Sequence, residues 1–169
     1  MRYRTAHLLA AVACAGLLGY AYYLEYVKYL DPCPLCMVQR LVFYALGAGF
    51  LISGLHSPAG RPGRAVYGLL LTAFGGLGIA TAARHIWLQG LPPDEVPDCS
   101  PSLDYMLDNF PLAETWDKLL NASGDCATID WTFLGVSMPG WTLVWFAGFT
   151  LWALFWGLRR PHKERNIFR

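Results

Sequence analysis

The sequence predicts an all-α membrane protein, a four-helix transmembrane bundle with one long outer loop that contains a short amphipathic helix. Three observations predict it. Of the 169 residues, 55% are hydrophobic and only 15% are charged, and the mean hydropathy is +0.33, more apolar than an ordinary soluble domain. Four apolar segments approach the ~20 residues that a helix needs to cross ~30 Å of hydrocarbon. The basic residues gather in alternate connections between those segments. The chain is therefore expected to form a single integral-membrane domain over residues 1–169, with helices at about 6–24, 37–55, 65–83 and 139–158 and an outer loop over 84–138.

The first segment follows Arg2 and Arg4 and resembles a signal peptide in charge. It ends, however, in Tyr20, Tyr22, Tyr23, Glu25 and Tyr26 rather than in a small-residue cleavage site. That ending reads as the aromatic belt of a retained anchor. The third segment carries Gly68, Gly75, Gly76 and Gly78, which let helices approach closely. The fourth carries Trp141, Trp145, Trp152 and Trp156.

Charge orients the bundle. Arg2, Arg4, Arg61, Arg64, Arg159, Arg160, Lys163, Arg165 and Arg169 make nine of the 13 Lys and Arg, and Glu164 is the only acid beside them. The other two connections hold the remaining 11 of 12 acids and only Lys28, Arg40, Arg84 and Lys118. The positive-inside rule then makes both termini and the short 56–64 loop cytoplasmic. The long loop becomes periplasmic in a bacterium, a compartment that supports disulfides. A net charge of +1 gives no sign of nucleic acid.

Both cysteine pairs fall on the outer side. Cys33-Pro34-Leu35-Cys36 opens the second span, where Asp31-Pro32 signals a turn and a helix start. A thiolate at a helix N-terminus is stabilised by unpaired amides and the helix dipole. Arg40 lies four residues after Cys36 and seven after Cys33, on roughly the same helical face. An arginine one turn inside a membrane demands a partner. It either snorkels to the headgroups or faces a bound polar headgroup and stabilises negative charge there or on Cys36.

Cys99 and Cys126 lie in the long loop, whose Pro92, Pro93, Pro97, Pro101 and Pro111 oppose a continuous helix. Within it, Leu112, Trp116, Leu119 and Leu120 give residues 111–120 an amphipathic spacing suited to the membrane surface or to packing on the bundle. A haem-attachment motif needs His after the second cysteine, and Met37 stands there. A four-cysteine zinc site is disfavoured, because Cys99 and Cys126 lack tight ligand spacing; no metal is expected. A purely structural Cys99–Cys126 bridge would stabilise by ~3–4 kcal/mol through loop closure. That reading leaves unexplained why a second pair closes so short a loop. Cys14, inside the first span, is expected to be an inert buried thiol.

The run Cys33-Pro34-Leu35-Cys36-Met37-Val38-Gln39-Arg40 resembles the Cys-x-x-Cys-x-x-x-Arg signature of the bacterial disulfide-bond formation protein B (DsbB) family. So do Ala122-Ser123-Gly124-Asp125-Cys126, Trp131, Phe133-Leu134-Gly135 and Met138-Pro139-x-Trp141. The likeness spans nearly the whole chain. It implies an enzyme, a protein-dithiol:quinone oxidoreductase that re-oxidises a DsbA-type periplasmic oxidase and passes the electrons to membrane quinone, ubiquinone or menaquinone. That relay keeps the bacterial periplasm oxidising. By the resemblance, Cys33 and Cys36 are the quinone-proximal pair, Arg40 assists the quinone, and His85, expected just past the third span, lies near it. Cys99 takes the mixed disulfide with the partner and Cys126 is its mate, while Trp131 packs near the outer end of the bundle. The implied partners are the DsbA-type oxidant, the lipid and the quinone pool, with the chain a monomer in the inner membrane. Two alternatives remain at this level: a vitamin-K-epoxide-reductase-like thiol enzyme, whose motif lies later in its bundle, and a non-enzymatic scaffold stapled by a disulfide.

Overall fold

A computed structural model describes residues 3–92, 95, 105, 108–111, 114, 124–129 and 131–159. Helix α1 runs Tyr3–Lys28, α2 Pro34–His56, α3 Arg61–Gln89 and α4 Met138–Leu158. All four are long and apolar enough to cross a membrane. A 3-10 turn, Gly124–Ala127, and a two-stranded antiparallel hairpin, β1 Thr132–Phe133 with β2 Val136–Ser137, precede α4. The amphipathic segment expected at 111–120 lies outside the described residues except for Pro111 and Glu114, and so does Cys99.

The helices overrun the apolar windows that mark them in the sequence. Helix α1 continues to Lys28 and turns where Tyr29 adopts a left-handed conformation (φ 55°). Helix α3 continues past Arg84 to Gln89, so His85 lies inside it rather than in the loop. The reason is that a charge ends a hydropathy window but not a hydrogen-bond ladder. No Pro or Gly interrupts 84–89, and the Arg84 guanidinium covers the Trp87 ring at 4.4 Å. The helix stops only at Gly90, ahead of Pro92.

Consecutive helices pack on one another, α1 on α2, α2 on α3 and, most extensively, α3 on α4. The last contact is set by small residues. A Cβ on Gly68 would stand 2.8 Å from the Gly157 Cα, and one on Gly78 would stand 2.5 Å from the Phe146 ring. Gly76, by contrast, meets nothing within 4 Å and takes no part. The core between the four helices is built from Cys14, Leu46, Phe50, Leu71 and Phe146, with Phe43 stacked on Phe146 at 4.2 Å. At the end that holds the N-terminus, Tyr3 Oη bonds Ser53 Oγ at 2.6 Å and the Tyr3 ring meets Trp156 edge-on.

Candidate functional site

The site forms at the opposite end, where α1 finishes, α2 begins, α3 finishes and α4 begins. Its placement starts with one dipeptide. Pro34 restricts the residue before it to extended backbone and itself suits the first helical position. Cys33 accordingly adopts φ −67°, ψ 162° and becomes the N-cap of α2. Its sulfur takes the place of a capping serine oxygen and accepts the Cys36 N–H at 3.4 Å. The same turn brings Cys33 Sγ to 3.0 Å from Cys36 Sγ, both free thiols in this structure.

Two other elements converge on Cys33. From α3, the buried His85 brings Nε2 to 3.7 Å from Cys33 Sγ. From the 3-10 turn, Cys126 hydrogen-bonds to Cys33 and is itself only 1% exposed, packed with Leu35, Val38 and Leu88. The hydrogen bond from Cys126 holds the Cys33 thiol well below its ordinary range, and those from Cys36 and then His85 add to the effect against the opposing cost of burial. Cys126, placed in the long loop by the sequence, is therefore docked on the bundle and in reach of the Cys-x-x-Cys turn.

Cys33 and Cys36 open onto a cavity of about 410 Å³. Its walls are mostly apolar and aromatic, with Leu17, Leu18, Phe43, Trp131 and Trp145 among them, and its polar groups include those of Asp31, Cys36, Gln39, Arg40, His85 and Thr142. An apolar cleft with a few convergent polar groups is the usual form of a small-molecule site. The hairpin closes its outer side. Leu134 (φ 53°) and Gly135 (φ 78°) form a two-residue turn with positive φ at both positions. Trp141 Nε1–H donates to Phe133 O at 3.1 Å, and Trp131 meets Tyr20 of α1 edge-on at 6.2 Å.

Arg40 lines this cavity and does not snorkel free. It forms an ion pair with Glu25 of α1, its other terminal nitrogen reaches Ala21 O at 3.4 Å, and it lies 5.0 Å from the Tyr22 ring centre. The sequence assigned Glu25 to the aromatic belt. The signal that finds it is Arg40 itself, since a cation one turn inside a membrane needs an acid near the end of a neighbouring span. Gln39 and Thr142 are likewise absent from the sequence-level site. Gln39 is buried, its Nε2 3.3 Å from His85 Nδ1 and its Oε1 2.8 Å from Thr142 Oγ1. Of the six residues singled out from sequence, the structure brings together Cys33, Cys36, Arg40, His85 and Cys126; Cys99 is outside the described residues.

A bundle of four membrane-length helices with three thiols gathered at one end defines a multi-pass membrane protein built around a redox-active dithiol centre. The chain matches the family described as Disulfide bond formation protein DsbB over residues 3–156, and it belongs to that family. It is 52% identical over 161 residues to Disulfide bond formation protein B of Hahella chejuensis, covering 94% of this chain and 95% of that protein. The protein of that name from Marinobacter nauticus is 49% identical over 152 residues, covering 90% of each. The one from Xanthomonas axonopodis pv. citri is 45% identical over 157 residues, covering 93% of this chain and 91% of the relative.

Proposed function

We propose that this chain re-oxidises a DsbA-type dithiol oxidase in the periplasm and passes the electrons to a quinone in the bacterial inner membrane. The observation that carries the reading is the continuity of the site. Cys126, Cys33 and Cys36 follow one another from the docked 3-10 turn to the wall of an apolar cavity large enough for a ring and flanked by Arg40 and His85.

The relay is a series of thiolate exchanges. A thiolate of the reduced partner attacks Cys99, breaking the Cys99–Cys126 disulfide and leaving Cys126 as the thiolate. Cys126 attacks Cys33, the Cys33–Cys126 bond forms, and Cys36 departs as a thiolate at the cavity wall. The partner's second thiolate attacks the mixed disulfide and leaves oxidised. Bound quinone supplies the acceptor for two electrons and two protons. Cys36 presents its sulfur to the cavity, Arg40 holds positive charge beside it, and the apolar walls exclude water, which strengthens that charge's effect. Cys99 then attacks Cys126, re-forming the Cys99–Cys126 disulfide and releasing Cys33 as a thiolate beside Cys36, and the Cys33–Cys36 bond closes as that dithiol gives up the two electrons that a bound quinone would accept. The net change is partner dithiol plus quinone to partner disulfide plus quinol.

Direction follows from coupling. A DsbA-type oxidant sits near −120 mV, and each 30 mV uphill costs about 1.4 kcal/mol for two electrons. A quinone pool kept oxidised by respiration draws the relay forward. Both termini and the 56–64 loop face the cytoplasm in this reading, and the cysteines face the periplasm, as the charge asymmetry requires. The test is to mix the purified protein with reduced DsbA and a soluble quinone and follow quinone absorbance. Catalytic loss of that absorbance with matching oxidation of DsbA supports the reading, and dithiol oxidation that proceeds without quinone reduction overturns it.

A further inference from the structure

Gln39 joins two helices to the dithiol through a continuous hydrogen-bonded chain. At the start of α4, Thr142 Oγ1 lies 2.9 Å from Pro139 O and 2.8 Å from Gln39 Oε1. Gln39 Nε2 lies 3.3 Å from His85 Nδ1, and His85 Nε2 lies 3.7 Å from Cys33 Sγ. Gln39 and His85 are each only 3% exposed, and both edge the cavity onto which the dithiol opens.

Counting protons leaves two consistent arrangements. A threonine hydroxyl has one proton, and both carbonyl oxygens facing it only accept. In the first arrangement Thr142 donates to Gln39 Oε1, the amide NH2 donates to His85 Nδ1, and the ring proton therefore sits on Nε2, facing Cys33. In the second, Thr142 donates to Pro139 O and the amide is turned. Its NH2 then donates to Thr142 Oγ1, its Oε1 accepts His85 Nδ1–H, and the Nε2 lone pair faces Cys33.

We propose that Gln39 is a positioning residue that lets His85 exchange a proton with Cys33, the orientation of its amide deciding whether Nε2 offers a proton or takes one. In the second arrangement the Cys33 Sγ–H bond breaks and an Nε2–H bond forms, with no change in oxidation state. The resulting imidazolium donates Nδ1–H to Gln39 Oε1 and Nε2–H to the thiolate, so no donor in the chain is left without an acceptor. The reverse transfer returns the proton. The inference rests on the proposed relay, which needs Cys33 as a thiolate nucleophile each time its bond to Cys36 closes.

Other groups also act on Cys33. They are Cys36 and Arg40 of α2, Glu25 of α1 through its pair with Arg40, Asp31 at the cavity rim and Cys126 of the 3-10 turn. The test therefore isolates the path through His85. Fully reduced, full-length protein in detergent is alkylated with iodoacetamide across pH, and the initial rate at Cys33 is read by peptide mass spectrometry. Gln39→Met removes both roles of the amide and is expected to raise the Cys33 midpoint by roughly one pH unit, a tenfold slower reaction below it. Gln39→Glu keeps an acceptor on Nδ1 and is expected to hold the low midpoint. In a His85→Gln background the Gln39→Met shift is expected to vanish, because its route is gone. If Gln39→Met does not fold, Thr142→Val carries the test from the other end, with a smaller shift of the same sign. An unmoved midpoint, or the same shift with and without His85, overturns the proposal. No quinone or partner is present, so loss of the shift with intact quinone reduction refutes this inference alone, and the converse refutes the relay alone.

Discussion

Arg40→Ala separates two roles that the ion pair with Glu25 would otherwise confuse. Arg40 and Glu25 side chains are 14% and 22% exposed, between a buried pair and a surface one. Removing one partner of a buried pair costs 3–5 kcal/mol and an exposed pair contributes 0–1, so leaving Glu25 unpaired costs about 2 kcal/mol of stability. The catalytic role is a separate quantity. Removing one donor aimed at developing charge typically lowers turnover 10²–10³-fold. Because Glu25 already draws on the guanidinium, a loss of about 10²-fold is expected, with a raised apparent quinone KM. Arg40→Lys restores part of it, since the charge stays but the planar fork is lost. The deciding variant is Arg40→Ala with Glu25→Gln, which removes both charges and so relieves the stability cost. Steady-state quinone kinetics, thermal unfolding and partner exchange without quinone are measured on these three variants and the unmodified protein. The double variant is expected to recover stability but not quinone turnover. If it turned over at the rate of the unmodified protein, Arg40 would serve only to neutralise Glu25, and the reasoning would fail.

Three further outcomes are expected. Membrane-impermeant thiol reagent applied to reduced, intact spheroplasts should label Cys99 and spare a cysteine introduced in the tail after Leu158; labelling of that tail cysteine with Cys99 protected would reverse the orientation. Cys99→Ser should abolish the partner mixed disulfide yet leave the Cys33–Cys36 dithiol able to reduce quinone, whereas Cys36→Ser should stop quinone reduction; unmodified rates in either variant would break the relay. The Cys33 thiol titrates below its ordinary value of 9.0 chiefly because of Cys126, so its alkylation rate should hold as pH falls below that range. Cys126→Ala should move the fall-off to higher pH, and no movement would remove Cys126 as the cause.

The helices were legible because lipid enforces a simple rule: every backbone group must be satisfied within the segment, so apolar length reads directly as helix. Their ends were less legible. Arg84 looks like a boundary by charge, yet α3 runs on to Gln89 and carries His85 into the site. The Cys-x-x-Cys turn and Arg40 were readable from spacing alone, since four and seven residues share a helical face. Glu25, Gln39 and Thr142 were not, because each acts on a residue of another helix and no periodicity within one segment encodes that. Cys126 stood between these cases. The sequence offered it as a loop thiol, and its burial against Leu35, Val38 and Leu88 is a tertiary fact.

The central claim is that electrons leave the Cys33–Cys36 dithiol for quinone, and a single turnover without any partner tests it most directly. Protein carrying Cys99→Ser and Cys126→Ser is reduced, freed of reductant and mixed with one equivalent of soluble quinone, after which quinol and free thiols are counted. The account predicts one quinol formed for each Cys33–Cys36 disulfide, with two thiols lost. Quinone left oxidised while the dithiol stays reduced would contradict it.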